Sequence, residues 1–312
     1  MGIVLSRQPD TRLALFAPPY ERLSPIDISW TPPTLPPRGL ALVWWLADGS
    51  EQEDQFQWLY ERPHGLPVFI VLPPPDDLKR ALPLLRYVNA VDPRSVLPSG
   101  RIVTPSYLRD LLRAPPRHFS SAVTGYLTRR GLLPPDKVRN DVRKIFGAVP
   151  QTTSITDLAR RLYTSRRTLG RRFDAAGLPV PSHWLQFARL LHTILRLHND
   201  SSALFRLAPR AGYPDGFTLS NQMKRFLGCR PTEIRGLFGW EWIIETWIRR
   251  EARTGGIDPD RYRATVEVYL DESRGDDPDA SPGPGPLRLH REAPSDAGVS
   301  AAAPDTERSM LL

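Results

Sequence analysis

Apolar residues follow two different patterns along the chain, and the change falls near residue 116. Before it, short apolar runs alternate with Pro/Gly turns and with helix-like segments. The runs predict five strands, at 13–17, 26–30, 40–47, 68–72 and 95–97. The segments between and after them predict helices at 53–62, 76–86 and 105–113. Unbroken runs such as ALVWWLA are typical of strands buried on both faces, as in a parallel sheet. The sequence therefore predicts a small α/β domain at 1–116.

After residue 135 the apolar residues recur every three or four positions, which is the period of an amphipathic helix. A first helix begins at Asp136, after a linker at 117–135 with one short helix near 121–130. Further short helices follow from 155 onward, and a longer helix at 181–199 connects two groups of them. The pattern predicts an all-α domain at 136–250.

The stretch from 155 to 235 holds two successive pairs of a short helix and a basic helix. The first pair is marked by Ala159, Ser165, Leu169, Phe173 and Gly177. The second is marked by Gly212, Asp215, Leu219, Met223, Lys224, Gly228, Pro231 and Arg235. In order and spacing these residues resemble the double helix-turn-helix domain of the AraC/XylS transcription regulators. The resemblance covers about residues 136–235 and implies a DNA-binding fold with no cofactor, no metal and no enzymatic activity.

By this resemblance, one set of residues faces DNA bases and another set faces phosphates. The base-facing set is Arg167, Gly170, Arg171, Gly216, Thr218, Ser220 and Asn221. The phosphate-facing set is Arg166, Arg172, Lys224 and Arg225. Arginine suits guanine O6 and N7, and asparagine suits adenine. The implied function is sequence-specific transcription regulation, with the two units in successive major grooves of double-stranded DNA.

The second unit departs from the family pattern. Pro209 falls inside its supporting helix, where it removes a backbone donor and disfavours helix at Ala208. We therefore expect the first unit to carry most of the sequence specificity.

Charge supports binding to a polyanion. The whole chain has 42 Lys/Arg and 34 Asp/Glu, a formal charge of +8. Residues 136–251 hold 20 Lys/Arg against 10 Asp/Glu, which is +10, so the remainder carries −2. A basic excess confined to one segment is typical of nucleic-acid binding. A nonspecific or architectural nucleic-acid binder would share this charge and remains the alternative.

Composition restricts the other classes of function. Cys229 is the single cysteine, which excludes an intrachain disulfide and a cysteine-based zinc site. No apolar run approaches the ~20 residues of a membrane span, and the N-terminus lacks signal-peptide features, so we expect a cytoplasmic protein without membrane contact. An enzyme in 1–116 is a weaker alternative, because its polar candidates have no mechanistic spacing. These candidates are Asp48, Glu51, His64, Asp76 and Asp77.

The strand–helix alternation from residue 41 onward also resembles, faintly, the later part of a response-regulator receiver domain. The acidic pair, the hydroxyl residue and the lysine of a receiver are missing, and Asp48 lies two or three residues too late for a phosphoacceptor. The resemblance therefore implies a degenerate receiver-like domain that is not switched by phosphorylation.

The C-terminal part contains one more apolar helix. Trp240, Ile243, Ile244 and Trp247 share one face, which predicts packing onto the preceding domain or, alternatively, a homodimer or RNA polymerase contact. For a homodimer we favour a different surface, on the last helix of the N-terminal domain (Tyr107, Leu108, Leu111 and Leu112). Residues 261–270 weakly predict a strand, and 251–312 are predicted to be a mostly disordered tail.

Overall fold

A computed structural model describes residues 12–33, 35–46, 52–74, 88, 90–98, 103–134, 137–149, 151–152, 154–200 and 202–263. All of these residues fall in one compact unit that extends to Arg274. The predicted helix at 76–86, the acidic candidates Asp48, Glu51, Asp76 and Asp77, and residues 264–312 of the predicted tail lie outside the described residues. The predicted domain boundaries stay predictions, although elements on both sides of residue 116 pack together.

The N-terminal part forms a five-stranded mixed sheet. Its strands are β1 (Leu13–Phe16), β2 (Leu23–Ile26), β3 (Ala41–Trp45), β4 (Val68–Val71) and β5 (Ser95–Leu97), in the order β2-β1-β3-β4-β5. β3, β4 and β5 are parallel, whereas β1 is antiparallel to both β2 and β3. The strand predicted at 26–30 is displaced to Leu23–Ile26, where it pairs with β1 from Leu13↔Ile26 to Phe16↔Leu23.

The central strands of the sheet are buried on both faces, as the apolar runs predicted. Every residue of β3 and β4 is buried, with Val43 and Phe69 on one face and Trp44 and Ile70 on the other. Helix α1 (Gln52–Glu61) contributes Leu59 to the Trp44 side. Helix α2 (Pro105–Arg113) contributes Leu108 and Leu112 to the other side. The apolar residues proposed for dimerisation through α2 are therefore buried or partly buried inside one chain.

The strand order is that of one doubly wound α/β fold, the order found in receiver domains. Such folds are built from parallel strands with helical crossovers, but here a short connection makes β1 antiparallel to its neighbours. Only β3 to β5 have the parallel arrangement of such folds, and the receiver-like description stays a prediction. The sequence could not distinguish these cases, because antiparallel and parallel central strands both give unbroken apolar runs.

The second part is entirely helical in the residues described. Its helices are α3 (Phe119–Arg129), α4 (Lys137–Ala148), α5 (Ile155–Arg161), α6 (Arg166–Ala175), α7 (Pro181–Asn199), α8 (Leu204–Arg210), α9 (Gly216–Leu227), α10 (Pro231–Ile234) and α11 (Glu241–Arg253). One apolar core joins them. Twelve of the 19 residues of α7 are buried, so this long helix is the centre around which the others pack.

Helix α11 closes this core. Trp247 stacks on Phe187 of α7, with ring centroids 4.3 Å apart and planes 7° from parallel. Trp240, Ile243 and Ile244 are at most 5% exposed. Packing onto the preceding domain was the first of the two interpretations of this face, and the structure confirms it. The face is thus not available for a homodimer or polymerase contact.

Polar contacts connect the sheet to the helices. The Tyr20 hydroxyl donates to Gly39 O at 2.7 Å and accepts from Phe238 N at 2.9 Å. A buried ion pair joins Arg94, just before β5, to Glu241 at the start of α11, with 3.0 Å between nitrogen and oxygen. These contacts join the N-terminal sheet directly to the helical part.

Two sequence predictions were wrong in this region. Residues 261–263 are helical, so a strand cannot begin at 261. Ala208 is helical and fully buried in spite of Pro209. Pro209 has no N–H to donate to the carbonyl of Phe205, four residues earlier. In a helix of seven residues this removes a single backbone hydrogen bond. Burial of Leu207 and Ala208 in the core offsets that loss.

Candidate nucleic-acid interface

The first helix pair is α5 and α6, and side-chain caps define where each begins. Ser154 Oγ accepts from Asp157 N at 3.1 Å, and Ser165 Oγ accepts from Thr168 N at 3.0 Å. Both contacts satisfy backbone donors that a helix start leaves open. Between the helices the chain turns at Tyr163, whose φ of +51° lies in the left-handed region. The turn therefore places α6 across α5 without a glycine.

Helix α6 is divided into a buried side and a basic exposed side. Leu169 and Phe173 are fully buried in the core. Arg166, Arg167 and Arg171 are exposed, and none of them has a hydrogen bond or ion-pair partner within the described part of the chain. Three uncompensated guanidinium groups on one short helix form a surface suited to phosphate and guanine.

Arg172 differs from the other three arginines. Its Nη1 forms an ion pair with Asp141 of α4, and the two side chains are 30% and 8% exposed. Arg172 thus attaches α6 to α4 and already has an anionic partner.

The two glycines assigned to base-facing positions have different surroundings. At Gly170 a Cβ atom would meet nothing within 4 Å, so the backbone of α6 is open to solvent there. At Gly216 a Cβ atom would lie 3.2 Å from Phe205 N and 3.3 Å from Phe205 Cα. Gly216 therefore lets α9 approach the backbone of α8, which is a packing role.

The second helix pair is α8 and α9. Asp215 caps α9 by accepting from Thr218 N at 2.6 Å, and hydrogen bonds from Thr218 hold the pKa of this carboxyl below its usual range. Arg235, which matches the family pattern, donates to the carbonyls of Asp200 and Ser202 and so fixes the turn before α8.

Helix α9 also has an exposed side. Its exposed residues include Thr218, Asn221, Lys224 and Arg225, while Ser220 is half-buried. Leu219 and Met223 are fully buried. Thr218, Asn221, Lys224 and Arg225 therefore project from α9 toward solvent. Arg166, Arg167 and Arg171 of α6 do the same.

Two exposed aromatic side chains at this surface were not predicted from the sequence. Tyr163 is 96% exposed in the turn before α6, and Phe217 is 75% exposed at the start of α9. Phe217 lies off the buried stripe of Leu219, Met223 and Phe226, so an aromatic residue on a polar helix face was the available signal. Tyr163 gave no comparable signal, because its left-handed conformation is not visible in the sequence.

Comparison with known proteins identifies the class of this region. Residues 158–236 match the family model described as a helix-turn-helix domain, and the match spans both helix pairs. The segment is an AraC/XylS-type DNA-binding domain, and the protein is a DNA-binding helix-turn-helix regulator. That domain family is not enzymatic. No curated protein and no solved structure matches the chain. Among the described residues no helix is both long and apolar enough to cross a bilayer.

Proposed function

We propose that the protein is a sequence-specific transcription regulator whose α6 and α9 enter successive major grooves of double-stranded DNA. The unpaired arginine surface of α6 is the observation that carries this proposal. Helix α7 joins the two pairs and, with 19 residues, is about 28 Å long. With the flanking helices this approaches the ~34 Å rise of one DNA turn.

The surroundings of each side chain support a division of roles. Arg167 and Arg171 read guanine, and Asn221 reads adenine. Arg166, Lys224 and Arg225 contact phosphates, with Thr218 and Ser220 supplying further polar contacts. We assign Arg172 a positioning role, because its ion pair with Asp141 already holds it. Gly170 allows close approach of DNA to the backbone.

We assign Phe217 a role that the sequence did not suggest. Its exposed ring is in the first turn of α9, and the N-terminal residues of a recognition helix are those nearest to base edges. An apolar side chain there fits the methyl group of thymine. Phe217 thus gives α9 one further base contact, in a helix with fewer arginines than α6.

Selection from a pool of random duplexes with the full chain tests the proposal. A sequence-specific regulator enriches one site, with guanines at the α6 half. With the matched variant Arg167→Ala, the enriched site should no longer require one of those guanines. An unenriched pool after several rounds would make the protein a nonspecific, architectural binder instead.

Assembly and activity follow as further proposals. Helix α11 is excluded as an interface by its burial, so a homodimer or polymerase contact would use another surface. We propose that the N-terminal part regulates and does not catalyse.

A further inference from the structure

The two helix pairs differ in what holds them in place. The pair α5–α6 is held from within the helical part, where Arg172 pairs with Asp141 of α4 and the Tyr262 hydroxyl donates to Ala176 O at 2.9 Å. Within the described part of the chain, no hydrogen bond or ion pair joins α5 or α6 to a residue before 116. The pair α8–α9 is different, because side chains from the N-terminal part bond next to both of its ends.

The first of these contacts is made by Arg113, the last residue of α2. Its Nε donates to His198 O in the last turn of α7, and its own carbonyl accepts from Asn199 Nδ2 at 3.4 Å. The last four carbonyls of a helix have no partner inside the helix, and a cation near them is favourable. Arg113 therefore caps α7 from outside the DNA-binding segment.

This cap lies at the turn that carries the chain from α7 into α8. On the far side of the turn, Arg235 donates to Asp200 O at 2.8 Å and to Ser202 O at 2.5 Å. Arg113 thus holds the α7 side of the turn, and Arg235 holds the α8 side. The direction in which α8 leaves α7 therefore depends on one residue of the N-terminal part and one residue of the helical part.

The second contact lies at the end of α9 and is made by Arg38. Its Nη1 donates to the sulfur of Cys229 at 3.2 Å, and Cys229 is 3% exposed. Gly228 ends α9 with a φ of +65°, and a Cβ atom there would lie 3.4 Å from Arg38 Nη2. A thiol is a weak acceptor, so we expect this contact to hold α9 less firmly than Arg113 holds the turn before α8.

Helix α2 is itself fixed to the sheet. Leu108 and Leu112 are buried in the core that contains the sheet residues Val43 and Phe69, and Arg94 donates to Ala114 O at 2.6 Å just after the helix. We propose that the N-terminal part sets the orientation of α9 relative to α6, with Arg113 and Arg38 as the positioning residues. This inference rests on the proposed function, in which α6 and α9 each read half of the site.

Amide hydrogen exchange of the full chain tests the positioning without DNA. Arg113→Ala should speed exchange in α8 and α9 about tenfold, the value of one hydrogen bond from a charged group, and leave α5 and α6 unchanged. Arg113→Lys keeps a cationic donor and should restore most of the protection. Arg109→Ala is the matched control, because Arg109 is on the same helix and has no partner among the described residues. Unchanged exchange in α8 and α9, or equal acceleration in both pairs, would overturn the proposal.

Binding to the selected duplex tests the consequence for DNA, with the α9 half identified as the half whose preference Asn221→Ala relaxes. Arg113→Ala should bind this duplex about tenfold more weakly, but should match the unchanged chain on a duplex whose α9 half is scrambled. Arg38→Ala should show a smaller loss of the same kind, and no loss would remove Arg38 from the proposal. Equal losses of Arg113→Ala on both duplexes would overturn the role in orientation. If the unchanged chain distinguished neither half, the proposed function would fail, and the hydrogen exchange would still decide the positioning role.

Discussion

His198 makes the stability of the helical part depend on pH. The ring lies at the end of α7, is 4% exposed, and hydrogen-bonds through Nε2 to Ile234 O at 2.9 Å. Its Nδ1 has no partner among the described residues, and its edge faces Phe238. Burial, assisted by the charges of Arg113 and Arg235, lowers the pKa of His198 to about 4. His198 is therefore neutral in the folded protein at neutral pH.

The sign of the effect follows from proton binding. An unfolded histidine has a pKa of about 6.5, so between pH 6.5 and 4 the unfolded chain binds more protons than the folded one. Stability is complete above pH 6.5 and falls as the pH is lowered toward 4. Because one pKa unit is worth about 1.4 kcal/mol, the full loss is about 3 kcal/mol, of which about 2 kcal/mol appears between pH 7.5 and pH 5.

Urea unfolding of the full chain and of His198→Gln at both pH values measures this effect. Burial also lowers the pKa of His192, so some acid sensitivity should remain in the variant. The variant should nevertheless lose about 2 kcal/mol less than the unchanged chain on going from pH 7.5 to pH 5. The same loss in both proteins would refute the argument that buried His198 is neutral.

Three further predictions concern the helical part, each checked by urea unfolding. Gly170→Ala should raise the free energy of unfolding by about 0.5–1 kcal/mol, because the surroundings of Gly170 are open. Gly216→Ala should lower the free energy of unfolding, because the added methyl group would crowd Phe205. A change of the same sign in both variants would contradict this difference between the two glycines. Tyr163→Gly should raise the free energy of unfolding by about 1 kcal/mol, because glycine adopts the left-handed conformation without strain. A lower free energy of unfolding would mean that the exposed ring has a structural contact. Trp247→Ala should cost about 3–5 kcal/mol, and a change in oligomeric state at unchanged stability would disprove its core role.

Local patterns predicted most of the elements. The 105–113 helix has the bounds predicted, because Thr104 and Pro105 mark its start and its apolar stripe is regular. The face of α4 that carries Val142 and Ile145 is buried as its period indicated. These features depend on residues close together in sequence, for which spacing is sufficient.

Features that depend on distant residues were beyond the sequence. The direction of β1 depends on pairing with β3, about 30 residues away. The ion pair that occupies Arg172 depends on Asp141 in another helix. The sequence contains both charges of this pair, but only the packing determines that they compensate each other.

The exposed arginines of α6 read DNA sequence in the function that we propose, and one measurement tests this role directly. The direct measurement is the affinity of the full chain for its selected duplex and for a scrambled duplex, compared among the unchanged chain, Arg167→Ala and Arg171→Ala. Arg143→Ala, an exposed arginine on α4, is the control. Each α6 variant should lose about 1–3 kcal/mol on the selected duplex and much less on the scrambled one. Equal losses on both duplexes would make these arginines phosphate contacts and contradict the claim.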